Sequence, residues 1–325
     1  MKTWTPFVLS CLAVLLLFGA GPESKPAYSE TYSQYAVASD QGLASEAGAE
    51  ILASGGNAAD AAAATMLALG VVNPASSGLG GGGFALYYRA EDQSLTFLDF
   101  RERAPAAASR TMFVDNEGKE GATKGRPLTA RSQLGGLASG VPGEPAGIEA
   151  LVARFGTKSM KEVVAPALRL AEEGFEPSEG VSKMAKAFSA QLEDDPVMAG
   201  WDLGPGGTLV RPALAEVLKA LGREGARAIY HGPIAEQIVS SVRAHGGIMS
   251  LQDLADYRVV TRKPLEAHHF SFLWTTAPPP SAGGFTMLQS LAMLEQTLGP
   301  SPSYDADFLH ALAESWKGPF LDRQR

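Results

Sequence analysis

Gly78-Leu79-Gly80-Gly81-Gly82-Gly83-Phe84-Ala85-Leu86-Tyr87-Tyr88-Arg89-Ala90 contains the spacing Gly78-x-Gly80-x-x-Gly83, formally that of a dinucleotide-binding turn. Such a turn needs a strand before it and a helix after it. Here the order is reversed, because a helix pattern precedes the glycines and an aromatic and aliphatic run follows them. A phosphate loop is excluded as well, since no Gly-Lys-Ser/Thr ending is present. The glycines are read instead as places where one backbone passes close to another or to a ligand.

The run 84–90 and a second one, 94–100, are separated by Glu91-Asp92-Gln93, a short polar loop suited to an antiparallel hairpin. Alternation puts Leu95, Phe97, Asp99 and Arg101 on one face and Thr96, Leu98, Phe100 and Glu102 on the other. Upstream, Leu43, Ala47, Ile51 and Leu52 mark a helix over 40–54 closed by Gly55-Gly56. Asn57 with Asp60 three residues later opens a second helix, which Asn73-Pro74 terminates. The two helices are expected to pack back to back.

Downstream, helices are predicted at 145–154, 160–173, 178–193, 211–221, 232–244 and 284–298. Ser250 and Asp253 cap a short one near 251–257. Strands are predicted near 258–263 and 268–276, and the polar stretch 115–125 reads as a flexible loop. Strands and helices mix without strict β-α-β alternation, so the fold class is α+β with a layered antiparallel sheet. No repeat period and no linker divides the chain into two domains.

Hydrophobic residues make up 45% and charged residues 19%, an ordinary globular composition. The net charge is −8 with the 27 Lys and Arg scattered, which argues against a nucleic-acid partner. Lys2 followed by an apolar run from Phe7 to Ala20 reads as an export signal, being shorter than the roughly 20 residues of a spanning helix. Cleavage after Gly21 or after Ser29 is compatible with the sequence, and a periplasmic or secreted protein is expected. The only cysteine, Cys11, lies inside the signal, so the mature chain has no disulfide, thiolate ligand or cysteine nucleophile. A lipid-modified Cys11 is the alternative, with little apolar sequence before it to serve as a signal.

Arg101 is the candidate binding residue, because a guanidinium grips a carboxylate through two parallel hydrogen bonds and stays charged when partly buried. A structural ion pair with Asp99, Glu102 or a distant acid is the competing reading. The histidines His231, His245, His268, His269 and His310 lack metal-ligand spacing, so no metal is expected. Neither Gly-x-Ser-x-Gly nor Ser-x-x-Lys occurs, and no local motif supplies a nucleophile. Pro278-Pro279-Pro280-Ser281-Ala282-Gly283-Gly284 is a stiff turn into a helix, either a plain connector or an anion-facing helix start.

Several segments taken together resemble the large subunit of a γ-glutamyltranspeptidase: Gly55-Gly56-Asn57-Ala58-Ala59-Asp60, Gly78–Phe84, Asp99-Phe100-Arg101-Glu102 and Ala138–Gly147. Tyr230–Glu236, Gly246-Gly247-Ile248, Asp253-Leu254-Ala255-Asp256-Tyr257, the triple-proline turn and the segment from Ala313 to Arg323 extend the match from about Ala36 to the end. The resemblance implies an N-terminal nucleophile hydrolase fold, a four-layered αββα sandwich made as one precursor that cuts itself into large and small subunits. It implies transfer of the γ-glutamyl group of glutathione or related compounds to water or to amino acid or peptide acceptors, with no organic cofactor. Residues 1–29 would then be the signal and 30–325 a large-subunit region. The threonine nucleophile and the small subunit would lie beyond Arg325, leaving these residues alone inactive and apolar surface exposed. Arg101 matches the family arginine that holds the substrate α-carboxylate. The resemblance also covers cephalosporin acylases and poly-γ-glutamate transpeptidases, and a non-catalytic γ-glutamyl-binding protein remains a further reading. Departures from the family pattern are a short loop at 201–211, Ala282 in place of a serine, and His268-His269-Phe270.

Overall fold

The computed structural model describes residues 31–114, 131–187 and 206–323. The signal segment, the loop at 115–125 and the end of the helix predicted over 178–193 lie outside the described residues. The chain divides into two compact units, Met1–Ala36 and Val37–Arg325, and every element below belongs to the second.

Helix α1, Gly42–Ala53, packs along α2, Ala58–Val72. Gly48 permits this approach, because a Cβ there would stand 2.2 Å from the Thr65 hydroxyl oxygen. Helix α2 is buried nearly all round through Ala59, Ala63, Ala64, Leu67, Ala68 and Val71, the pattern of a central helix. Its start follows the expected capping box: Asn57 accepts from the Ala59 and Asp60 amides, and Asp60 accepts from the Asn57 amide.

Asp60 does more than cap. Its fully buried carboxylate also accepts from the Thr157 amide and hydroxyl and from the Lys158 amide, tying α2 to the turn between α3, Glu144–Phe155, and α4, Met160–Glu173. Burial alone would push this carboxyl up, but the hydrogen bonds from Asn57, Thr157 and Lys158 outweigh it and hold it below the ordinary 3.8.

Strands β1, Gly83–Arg89, and β2, Ser94–Phe100, form the predicted hairpin, with Phe84 opposite Asp99 and Tyr88 opposite Leu95. Strand β3, Val260–Arg262, adds antiparallel to β2, giving the order β1-β2-β3. Leu98 and Phe100 enter the core with Val141, Ile148 and Leu151, while Tyr87 stacks on Phe155 at 4.4 Å. On the opposite face Phe84 stacks on Phe97 at 5.5 Å, and Leu86 and Tyr88 are exposed.

Helix α5, Glu179–Ala187, precedes α6, Pro212–Glu224, which packs on α4; α7, Arg227–Tyr230, α8, Pro233–Ala244, and α9, Leu251–Ala255, lead to β3. The strand predicted over 268–276 is instead a hairpin of β4, Leu265–His269, and β5, Phe272–Thr276. Phe270 and Ser271 turn with positive φ of 52° and 64°, a conformation that neither side chain announces. Helices α10, Ala282–Leu298, and α11, Ala306–Arg323, pack against each other. The fold is α+β, as expected from the unalternating order of elements.

Asp60→Ala should lower the stability of the chain by about 3 kcal/mol, since several amides lose a charged acceptor at once. The contribution is complete above the ordinary carboxyl value of 3.8 and is lost as pH falls through the depressed native value. Urea unfolding of wild type and variant should therefore converge on acidification; a gap that persists in strong acid would show that packing, not the charge, dominates.

Candidate functional site

Phe100 ends β2, and Arg101 stands exposed just beyond it, on the face predicted by alternation. Its amide donates to Asp99 Oδ1 at 3.0 Å, and its carbonyl accepts from the Tyr257 hydroxyl at 2.8 Å. The other oxygen of the buried Asp99 accepts from Arg262 Nε at 2.6 Å, so Asp99 pairs with Arg262 and not with Arg101. The Arg101 guanidinium lies 5.9 Å from the Phe84 ring centroid and makes no hydrogen bond or ion pair among the described residues. The structural ion pair with Asp99 or Glu102 is thus not formed.

Segments far apart in sequence converge on this strand end. Gly81 carbonyl accepts from the Gly143 and Glu144 amides at 2.8 and 3.0 Å, joining the glycine run to the start of α3. A Cβ on Gly143 would sit 1.9 Å from the Phe100 carbonyl oxygen and 2.2 Å from the Tyr257 hydroxyl. On Gly147 it would lie 2.2 Å from the Phe100 ring, so both positions require a bare backbone. Asp253 accepts from the Ala106 amide at 2.7 Å, and Arg103 donates to the Arg258 carbonyl while lying 5.5 Å from the Tyr257 ring centroid. The 253–262 segment therefore clasps the chain as it leaves β2.

On the other side of the glycine run lies an open cavity of about 490 Å³ lined by Gly78–Gly82, Ser76, Ser77, Glu102, Glu144 and Arg211 among others. Arg211 donates to the Gly70 and Val71 carbonyls, capping the end of α2, and burial lowers it to about 10. Glu144 is 5% exposed, and its Oε1 has no hydrogen-bond partner. Burial first, and the nearby Glu102 charge to a lesser degree, push it up to about 7 against a hydrogen bond from Gly78.

Of the sequence-predicted features, Arg101 is presented as a free cation. At the proline turn Ser281 caps α10 by accepting from the Gly283 amide. His269 bonds Glu295 on α10 through Nδ1 at 3.0 Å and belongs to the packing of the β4–β5 hairpin. Sequence reasoning assigned no role to Glu144 or Tyr257, although both stand inside quoted motifs. Glu144 was detectable as the single acid within the small and apolar stretch 138–147. Tyr257 carries no such mark, because its partner is 156 residues away.

The raised Glu144 favours the native state most below its ordinary 4.5 and withdraws that contribution as pH rises through about 7. Glu144→Gln should flatten the pH dependence of stability between about pH 5 and about pH 8, and exceed wild type at the alkaline end by about 1–3 kcal/mol. Urea midpoints across that range check this; parallel curves for the two proteins would refute it.

The family model "Gamma-glutamyltranspeptidase" matches residues 44–325. The glutathione hydrolase proenzyme of Bacillus subtilis (strain 168) is 36% identical over 310 residues, 90% of this chain and 52% of that protein. The one from Escherichia coli (strain K12) is 36% identical over 295 residues, 88% and 50% respectively. Among solved structures, the gamma-glutamyltranspeptidase of Helicobacter pylori superimposes with a TM-score of 0.83 at 34% identity, covering 91% of this chain and 85% of the matched one. The chain spans about half the length of the curated relatives it matches.

Proposed function

The chain belongs to the gamma-glutamyltranspeptidase family, and from that premise we propose that it is the large-subunit region of a precursor whose complete protein hydrolyses or transfers γ-glutamyl groups. The observation that carries the reading is the Arg101 guanidinium, held at a strand end on an aromatic ring and left without an acid. In this role it grips the α-carboxylate of glutathione or a related γ-glutamyl compound through two hydrogen bonds.

The nucleophile in this scheme is a threonine outside these 325 residues, freed as the N-terminus of a second subunit. Its hydroxyl attacks the γ-carbonyl and passes its proton to the free α-amino group, which then protonates the departing amine. Water or an amino acid or peptide amine next attacks the ester and releases glutamate or a new γ-glutamyl amide. Backbone amides stabilise the oxyanion of both tetrahedral intermediates. The outer sheet face with Leu86 and Tyr88 exposed is where the second subunit of the precursor packs. Residues 1–29 serve as the export signal, cut after Gly21 or Ser29, and the protein works in the periplasm or outside the cell; among the described residues no helix is long and apolar enough to cross a membrane.

Expression of the complete protein should give two fragments on a denaturing gel and release of nitroaniline from γ-glutamyl-p-nitroanilide. Arg101→Ala should leave self-cleavage intact and raise KM about 100-fold, roughly 3 kcal/mol of lost carboxylate binding. Release from a cephalosporin side chain in place of the γ-glutamyl anilide would reassign the substrate, and absence of both self-cleavage and release would overturn the proposal.

A further inference from the structure

We propose that Tyr257 and Asp99 are positioning residues that pin both sides of the Arg101 backbone, so that its guanidinium is offered to the substrate carboxylate from one fixed origin. This rests on the carboxylate-binding reading of Arg101.

Arg101 lies beyond the sheet ladder. Pairing with β1 stops at Phe100 opposite Gly83, and pairing with β3 stops at Asp99 opposite Val260. A residue in that position keeps its backbone polar groups for water and its φ and ψ free, and a long side chain amplifies any such freedom at its tip. Here both groups end on side chains instead, the amide on Asp99 Oδ1 and the carbonyl on the Tyr257 hydroxyl. Each of these is itself immobilised. Asp99 is buried and held by Arg262 Nε from β3. Tyr257 is buried, stacked on Tyr230 at 5.6 Å with the rings nearly parallel, and faced by the Arg103 guanidinium. Tyr230 in turn donates to the Pro142 carbonyl at 2.9 Å, beside the Gly143 that leaves room for the Tyr257 hydroxyl.

Burial pushes the Tyr257 hydroxyl up to about 12, so it remains a proton donor throughout the neutral range. Arg262 engages Asp99, the acid two residues before Arg101, and so keeps it from capturing Arg101. The clamp therefore fixes the origin of the side chain and leaves its charge unspent. An error of about 1 Å in a binding group costs on the order of 100-fold in an enzyme site, which gives such a clamp a measurable consequence.

The test uses the self-cleaved enzyme from the complete protein, with two competitive inhibitors that differ in one group: L-glutamate, and 4-aminobutanoate, which is glutamate without its α-carboxylate. Tyr257→Phe should raise the KM for γ-glutamyl-p-nitroanilide and the inhibition constant for L-glutamate about tenfold, with kcat within about threefold. The inhibition constant for 4-aminobutanoate should not move, and Tyr257→Phe should add nothing in an Arg101→Ala background. Equal effects on both inhibitors, no effect on either, or an undiminished effect without Arg101 would overturn the positioning role. Should Tyr257→Phe fail to fold or to cleave itself, Arg262→Gln decides: it frees Asp99 at a half-exposed position and should weaken L-glutamate alone, about threefold, while equal or absent effects refute the clamp. Failure of the underlying reading is separate, since Arg101→Ala would then weaken both inhibitors alike or neither.

Discussion

The end of β2 depends on the space that glycines leave around Phe100. Its ring fills the volume where Gly147 has no side chain, and its carbonyl oxygen occupies the place of a Gly143 Cβ. Gly82 adds a third close approach, with a would-be Cβ 2.5 Å from the same carbonyl oxygen. Strand, helix start and glycine run thus touch backbone to backbone. Any methyl group inserted there would force the strand away from α3, because a packed interior has no slack to absorb it. Everything proposed for Arg101 follows from this seat, since Arg101 is the next residue along the chain.

The glycine run imitates a dinucleotide fingerprint in spacing but not in what its glycines face. In that fingerprint glycines admit a pyrophosphate at a helix start. In this chain Gly81 and Gly82 admit other segments of protein: the amides of Gly143 and Glu144 bond the Gly81 carbonyl, and Phe100 crowds Gly82. Of the glycines at the fingerprint spacing, Gly83 lies against the Phe100 ring, whereas a Cβ on Gly80 would meet nothing within 4 Å, so the shared spacing carries no shared steric demand. The order of elements, helix before the glycines and strand after them, separates the two readings in the sequence itself.

Features governed by near neighbours were legible in the sequence. The hairpin could be read because two apolar runs flank Glu91-Asp92-Gln93, and the caps at Asn57 and Ser250 because each pairs with an acid three residues on. The Phe270-Ser271 turn was hidden, since positive φ there is imposed by context: the Phe270 amide donates to Glu295 on α10, and the Trp274 indole donates to the His269 carbonyl. Arg101 was nameable by its residue type and its motif, but its environment was not. Whether it paired with Asp99 depended on Arg262, which lies 163 positions from Asp99 and claims its carboxylate. Glu144 likewise shows its acidity in the sequence and its burial only in the fold.

Charge is sorted across the two sides of one short segment. Arg101 and Glu102 are consecutive, yet Arg101 lies over Phe84 on the outer sheet face while Glu102 lines the cavity shared with Glu144. On that side burial raises the Glu144 carboxyl, and the neighbouring Glu102 charge adds to it in smaller measure. On the other side Asp99 is already paired with Arg262. A strand end thereby keeps a cation and an anion one residue apart without letting them cancel. Alternation of side chains achieves the separation, and β3 maintains it by supplying the competing arginine.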